Sequence, residues 1–142
     1  MTVRRASSVN SAQALSLIAR IDYTVIHARD FPAMRRFYED VMGFRLTRTL
    51  SERWFEYELG TTILALTSAG GRFGDAPPPM GAASLQLAFK VPVEAVALCA
   101  TELEIKGVTL TAPLMDHAFG HRTIFFRDPD GNVIEIYGEI DP

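Results

Sequence analysis

Glu135 is the residue whose position most directly suggests chemistry. It lies between Ile134 and Ile136 in an apolar segment near the C-terminus. Because burying a carboxylate without a partner is costly, this side chain must face water or serve a site. At such a site it would bind a metal ion or accept a proton. We therefore place Glu135 at the centre of the predicted functional site.

Side chains alternate between the two faces of a strand, and this alternation groups further polar residues on one face of each of three predicted strands. Tyr23 and His27 share one face of the first strand, Gln86 lies on one face of the fifth, and Tyr137 accompanies Glu135 on the eighth. We expect these faces to line a cleft. Tyr23, Gln86 and Tyr137 are then candidate ligand contacts.

The approach to the seventh strand supplies two more candidates. His117 and His121 flank Phe119 and Gly120, and Arg122 follows directly. His121 is a candidate acid or base at the mouth of the cleft, since histidine titrates near neutral pH. Arg122 is a candidate to hold an anionic group. The alternatives are solvent-exposed loop histidines and a surface ion pair of Arg122.

Tyr57 is a candidate wall for an aromatic or apolar ligand. Strand parity puts Phe55 and Tyr57 on one face and Trp54 on the other. All three therefore cannot line one cleft, and the sequence leaves open which face does.

The elements that must position these residues follow one order twice: a strand, a helix and three strands. Asp30 suits an N-cap and Gly43 a helix end. The predicted elements of the first unit are 21–27, 31–42, 44–49, 54–59 and 62–67, and those of the second are 84–91, 92–106, 108–111, 121–127 and 133–138. Asp128-Pro129-Asp130-Gly131 is typical of a turn, so the last two strands form a predicted hairpin.

This order predicts an α+β fold of two βαβββ modules. One module cannot cover its own sheet, so the two should form a curved mixed sheet around a shared cleft, with the helices on the outer face. The predicted layout is an N-terminal arm, 1–19, and a single domain, 20–140. The domain divides into module one, 20–68, a Gly- and Pro-rich linker, 69–82, and module two, 83–140.

Composition limits the function. The 142 residues are 48% hydrophobic and 22% charged, with a net charge of −3 and no basic block. These values give no reason to expect nucleic-acid binding. No run reaches the roughly 18 apolar residues that cross a bilayer, so no membrane association is predicted. Cys99, the one cysteine, suits a small core position and a reducing, cytoplasmic location.

Two stretches resemble a known family. Ile21 to Asp30 with Phe37 to Phe44 is similar to the opening of vicinal oxygen chelate domains, and Phe126 to Glu135 resembles their closing hairpin. That superfamily includes glyoxalase I, extradiol dioxygenases, fosfomycin resistance enzymes and bleomycin-binding proteins. With the doubled βαβββ order, the resemblance covers roughly 20–140. It implies the scaffold more strongly than any one activity.

The resemblance also suggests where a metal would bind. The family's ligand positions fall on Tyr23, Gln86 and Glu135, of which only Glu135 is the usual acid. The two-histidine, one-carboxylate iron site of extradiol dioxygenases is therefore not present, and the glyoxalase I set is incomplete. His27 lies about 13 Å beyond Tyr23. A site of His27, Gln86 and Glu135 for one divalent metal ion thus requires staggered strands; a site without metal is the alternative.

Several functions follow from the resemblance. The first is a lyase, isomerase or dioxygenase-like enzyme acting on a small oxygenated organic molecule, with Glu135 at the cleft centre. The second is a binding protein that sequesters a small molecule without metal or turnover. A metal-free enzyme with Glu135 as general base is the third. The resemblance further implies a homodimer, with the modules paired within one chain or exchanged between two.

Overall fold

The structure, a computed structural model, describes residues 11–69, 76, 79–82 and 84–141. Part of the predicted arm and most of the predicted linker lie outside these ranges. Within the described arm, Ser11–Leu17 form a short 3-10 helix. In these ranges no helix has the length and apolar character that crossing a membrane requires.

The first module contains a four-stranded mixed sheet. Its strands are β1 (Tyr23–Ala28), β2 (Leu46–Ser51), β3 (Trp54–Leu59) and β4 (Thr62–Ser68), in the order β1-β4-β3-β2. β1 and β4 are parallel and the other pairs antiparallel. Helix α1 (Phe31–Arg36) follows β1 and continues as a π-helical turn (Phe37–Val41).

The second module repeats this arrangement. Its strands are β5 (Gln86–Lys90), β6 (Ala112–Asp116), β7 (His121–Arg127) and β8 (Val133–Glu139), in the order β5-β8-β7-β6. Helix α2 (Ala95–Ile105) connects β5 to β6. The predicted α+β class and doubled βαβββ order are confirmed. The strands form two hydrogen-bonded sheets of four rather than one sheet of eight.

Several predicted boundaries differ from the observed ones. The predicted strand 108–111 is wrong: Val108 and Leu110 pack against the core as an irregular segment, and β6 begins at Ala112. Their alternation reflects burial of one side of that segment. The predicted helix 31–42 exists, with Asp30 accepting a cap hydrogen bond from the Ala33 amide, but its second half winds as the π-turn.

One core joins the modules. Phe37 and Tyr38 are buried, and Phe37 packs on Phe126 of β7 with ring centroids 6.3 Å apart. Phe44 and Phe89 likewise meet across the modules at 5.4 Å. The two sheets are therefore held together by aromatic contacts rather than by strand pairing.

The Asp-Pro-Asp-Gly segment forms the predicted hairpin turn and also fastens the modules. Asp128 is buried and accepts hydrogen bonds from the amides of Asp130 and Asn132 and from the Tyr38 hydroxyl, at 2.8–3.0 Å. Burial raises the pKa of the Asp128 carboxyl, and burial with the nearby carboxylate raises the pKa of Tyr38. The turn thus places polar partners for module one inside the core.

Asp130 makes the second half of this fastening. Its carboxylate accepts from the backbone amides of Arg29 and Asp30 at 2.7 and 3.1 Å, where β1 passes into α1. The Arg29 guanidinium donates in return to the Asp130 carbonyl. We call Arg29, Tyr38, Asp128 and Asp130 the module clamp. Because it links residues a hundred positions apart, it fixes where β1 lies relative to β8.

Candidate functional site

The second sheet presents one face on which the predicted site residues gather. Strand register puts Ala88 opposite Glu135, and Glu135 opposite Phe125, so these side chains point to the same side. The alternate residues, such as Ile134 and Ile136, are buried in the core. We call this side the β8 face. Its members on β5, β7 and β8 are Gln86, Ala88, Lys90, His121, Thr123, Phe125, Arg127, Val133, Glu135, Tyr137 and Glu139.

Glu135 lies half-buried at the middle of the β8 face. The side-chain amide of Gln86 donates to its Oε1 at 3.3 Å. Lys90, on the same face, pairs with Glu139 at 3.3 Å. Among the described residues no cation forms an ion pair with Glu135. Its carboxylate therefore keeps acceptor capacity that the protein does not use.

His121 and Tyr137 stand beside Glu135 as a stacked pair. Their rings lie 4.5 Å apart at 23°, across the β7–β8 register. Phe119 contacts the His121 ring at 5.1 Å, and His117 stacks on Phe119 at 5.0 Å. The β8 face thus combines a carboxylate and an amide with a run of aromatic rings, which suits a small molecule with polar and unsaturated parts.

The first sheet carries a polar face of its own. Tyr23 is 52% exposed, and its ring meets Trp54 edge to face at 6.5 Å. The Trp54 indole donates to Glu56 at 2.7 Å. His27 lies on the same side, opposite Thr67 of β4. No hydrogen bond or ring contact among the described residues joins this face to the β8 face.

The third-strand parity is now decided. Trp54 lies on the polar face, whereas Tyr57 is fully buried on the opposite, core side. Its hydroxyl donates to Glu39 of the π-turn at 2.7 Å, and burial raises the pKa of Tyr57. The prediction that Tyr57 contacts a ligand is therefore corrected: the residue fixes α1 against β3.

Arg122 is corrected in the same way. The strand alternation that puts His121 and Thr123 on the β8 face directs Arg122 to the other side. Its guanidinium donates twice to Asp116, at 2.7 and 3.1 Å, and this hydrogen bonding lowers the pKa of the Asp116 carboxyl. The ion-pair alternative describes this residue; it is not positioned to hold an anionic ligand on the β8 face.

The donors do not form a metal centre within one chain. His27 lies on β1 of the first sheet, whereas Gln86 and Glu135 lie on β5 and β8 of the second. Among the described residues no hydrogen bond joins His27 to either of them. Throughout the described ranges, no three His, Cys, Asp or Glu side chains come together closely enough to hold an ion. The side-chain amide of Gln86 instead donates a hydrogen bond to Glu135. Placement on separate sheets therefore does not support the divalent site of His27, Gln86 and Glu135, which stays a prediction.

The paired βαβββ modules and an open polar sheet face define a class of small-molecule-binding and catalytic scaffolds. A family model described as the Glyoxalase/Bleomycin resistance protein/Dioxygenase superfamily matches residues 20–136. The chain belongs to this superfamily, as the resemblance predicted.

Individual relatives agree with this assignment. "Virulence protein STM3117" of Salmonella typhimurium is 30% identical over 125 residues, 84% of each chain. A glyoxalase/bleomycin resistance protein/dioxygenase from Nocardioides superposes with a TM-score of 0.75 at 22% identity, over 92% of this chain and 91% of the other. Lactoylglutathione lyase from Agrobacterium tumefaciens gives 0.68 at 23%, over 85% and 94%. The two structural likenesses establish the fold.

The sequence analysis did not identify Phe119, in the loop before β7, as a candidate site residue. Phe119 was noted only as a neighbour of two histidines, although it completes the run of rings on the β8 face. The signal was present: aromatic or imidazole rings recur at every second position from 117 to 121. Glu56 was also missed, because the sequence left open whether the face of Trp54 or that of Tyr57 lines the cleft.

Proposed function

We propose that this protein binds a small oxygenated organic molecule on the β8 face, with Glu135 accepting a hydrogen bond from it. Gln86 orients the carboxylate, His121 supplies a second polar group, and Tyr137 offers an aromatic wall. Tyr23, on the first sheet, is the remaining proposed ligand contact. The observation that supports this proposal is the half-buried carboxylate of Glu135. It accepts one hydrogen bond, from the Gln86 amide, and pairs with no cation among the described residues.

Metal-free binding is the form of this function that the donor set supports best. A carboxylate hydrogen-bonded to a neutral amide keeps free lone pairs for a ligand hydroxyl or amide. Replacing it removes a charge-assisted hydrogen bond. A screen of hydroxy-acids, diols, dicarbonyls and epoxides by titration calorimetry tests this. We expect Glu135→Gln to weaken the best binder about 10-fold.

Glu104→Gln is the matched control, since Glu104 is exposed on α2, away from the sheet. It should leave the affinity unchanged. Equal affinities of the wild type and Glu135→Gln would contradict the proposal, as would an equal loss in both variants.

An enzyme is the second candidate, favoured by the unpaired state of the same carboxylate. In a lyase or isomerase Glu135 would take a proton from a carbon next to a carbonyl, and the C–H electron pair would pass to the carbonyl oxygen as an enolate. Glu135 would then return the proton to the product or to its leaving group. Product formation from the screened dicarbonyls should then fall about 100-fold or more in Glu135→Gln. Turnover that survives this substitution would remove Glu135 as the base.

Metal content separates these candidates from the predicted divalent site. Elemental analysis of protein purified without chelator, repeated on Glu135→Ala, gives the answer. The proposal expects no stoichiometric metal in either sample. A near-stoichiometric divalent ion lost in the variant would restore the site of His27, Gln86 and Glu135.

We also propose a cytoplasmic homodimer in which the polar faces of two copies lie against each other. The supporting observation is that Tyr23 and His27 stay exposed, with no contact to the β8 face in the described chain. Light scattering after gel filtration should give twice the monomer mass. A monomer at micromolar concentration would contradict it.

A further inference from the structure

The loop joining β6 to β7 holds the most exposed aromatic side chain near the site. Phe119 is 72% exposed, yet it contacts the rings of both His117 and His121. The series continues to Tyr137 on β8. We call these four residues the ring ladder. Aromatic side chains commonly line small-molecule pockets.

The loop holds the ladder in place. The His117 amide donates to the His121 carbonyl at 2.8 Å, and the Gly120 amide donates to the His117 carbonyl at 2.9 Å. Gly120 has φ of +99°, which suits glycine in this tight turn. The imidazole Nε2 of His117 is also hydrogen-bonded to Oγ1 of buried Thr123 at 2.8 Å. The ladder is therefore ordered before any ligand arrives, which reduces the entropic cost of binding.

A cavity of about 510 Å³ lies between this loop and residues 139–141. That volume is within the usual range for small-molecule sites. Glu139 and Asp141 are among its lining residues, and no lysine or arginine is. Lys90, which does not line the cavity, forms an ion pair with Glu139, with Nζ 3.3 Å from Oε1. No described cation pairs with Asp141.

These features select for one kind of charge. Aromatic faces carry negative electrostatic potential and attract cations, and the carboxylates add to that attraction. The same carboxylates would repel an anionic group. A flat ring system can stack on Phe119 as His117 already does.

We propose that this cavity binds the planar cationic part of an aromatic ligand, stacked on Phe119 and drawn by Asp141. The inference rests on the proposed function, because the ladder ends at Tyr137, two residues from Glu135 on the β8 face. It names the class of molecule: one with a polar oxygenated end at Glu135 and a flat, positively charged end at Phe119.

Fluorescence titration with proflavine, a planar cation, tests the inference. We expect saturable binding that Phe119→Ala weakens about 10-fold and Asp141→Asn about 3-fold, in line with the loss of stacking and of charge attraction. Leu98→Ala is the matched control, because Leu98 is similarly exposed, at 68%, on α2. It should leave the affinity unchanged. The planar anion 2-naphthalenesulfonate should bind more weakly than proflavine.

Equal proflavine affinity in wild type and Phe119→Ala overturns the inference, as does tighter binding of the anion. Glu135→Gln separates it from the proposed function. Proflavine has no oxygen, so its affinity should change less than twofold in that variant. If oxygenated ligands depend on Glu135 while proflavine binding ignores Phe119, the inference fails and the proposed function stands. If proflavine depends on Phe119 while no oxygenated ligand depends on Glu135, the reverse holds.

Discussion

At the scale of single residues, the sequence predicted which polar side chains share a strand face better than it predicted the role of each side chain. The sequence predicted that the strand faces carrying Glu135 and Gln86 line one cleft, and the two side chains are hydrogen-bonded. Tyr57 and Arg122 were misassigned because their partners, Glu39 and Asp116, come from other elements. Parity tells which residues share a face, but only tertiary contacts tell which face is buried.

Tyr38 gives the first prediction at this scale. Its hydroxyl donates to buried Asp128 at 2.8 Å, so Tyr38→Phe leaves that carboxylate short of one donor. We expect the free energy of unfolding to fall by about 1–3 kcal/mol, measured with denaturant. Tyr23→Phe is the control, because the hydroxyl of Tyr23 donates to no described residue. Equal stabilities of Tyr38→Phe and the control would contradict the role of the hydroxyl.

Glu39 gives a pH dependence. Burial alone would raise the pKa of its carboxyl, but the hydrogen bonds from Arg35 and Tyr57 outweigh it and hold that pKa below its usual value of 4.5. A lowered pKa in the folded state means stabilisation that is complete above 4.5 and lost as the pH falls through the folded value. Wild type should thus exceed Glu39→Gln in stability at pH 7, and the difference should shrink below pH 4.5.

Denaturant unfolding of both proteins from pH 7 to pH 3 measures this difference. Glu104→Gln, at an exposed helix position, should show none at any pH. A gap between wild type and Glu39→Gln that widens on acidification would contradict the assigned direction.

At the scale of elements, periodicity predicted the order of helices and strands but not their ends. The π-turn after Arg36 and the late start of β6 at Ala112 are both tertiary effects. The π-turn carries Glu39, which binds Tyr57 of β3, and the segment before β6 packs Val108 into the core. Local propensity carries no signal for either contact.

Gly131 tests the close packing of the hairpin turn against residues 79–82. A Cβ on Gly131 would lie 2.6 Å from the backbone of Gly81, and its φ is +92°. Gly107 has a similar φ, +83°, with open space around it. We expect Gly107→Ala to cost about 1–2 kcal/mol of backbone strain, and Gly131→Ala about 1–3 kcal/mol more from overpacking. Thermal unfolding of the two variants compares them, and equal losses would contradict the contact.

At the scale of the whole molecule, the doubled order of elements predicted the paired modules, and the structure adds how they are joined. The turn that the sequence marked as a hairpin also provides the module clamp. Its carboxylates are buried and accept hydrogen bonds from module one: Asp128 from the Tyr38 hydroxyl, and Asp130 from the amides of Arg29 and Asp30. That role was not readable from the segment alone, because the donors lie about a hundred residues away.

Asp130→Ala tests whether the clamp makes the modules one cooperative unit. The change leaves the amides of Arg29 and Asp30 without their acceptor, which should cost about 1–3 kcal/mol. Hydrogen exchange should show β1 and β8 losing protection together. Asp116→Ala, at an exposed ion pair, should leave both strands unchanged. Loss of protection confined to one module would contradict a shared unit.

The most direct test of the central claim is amide chemical-shift mapping of the protein with the tightest oxygenated ligand from the binding screen. The account predicts shifts concentrated at Gln86, His121, Glu135 and Tyr137. In Glu135→Gln these shifts should be much smaller at the same sub-saturating ligand concentration, with the spectrum otherwise retained. Shifts that map elsewhere, or that persist unchanged in Glu135→Gln, would show that the β8 face is not the binding site.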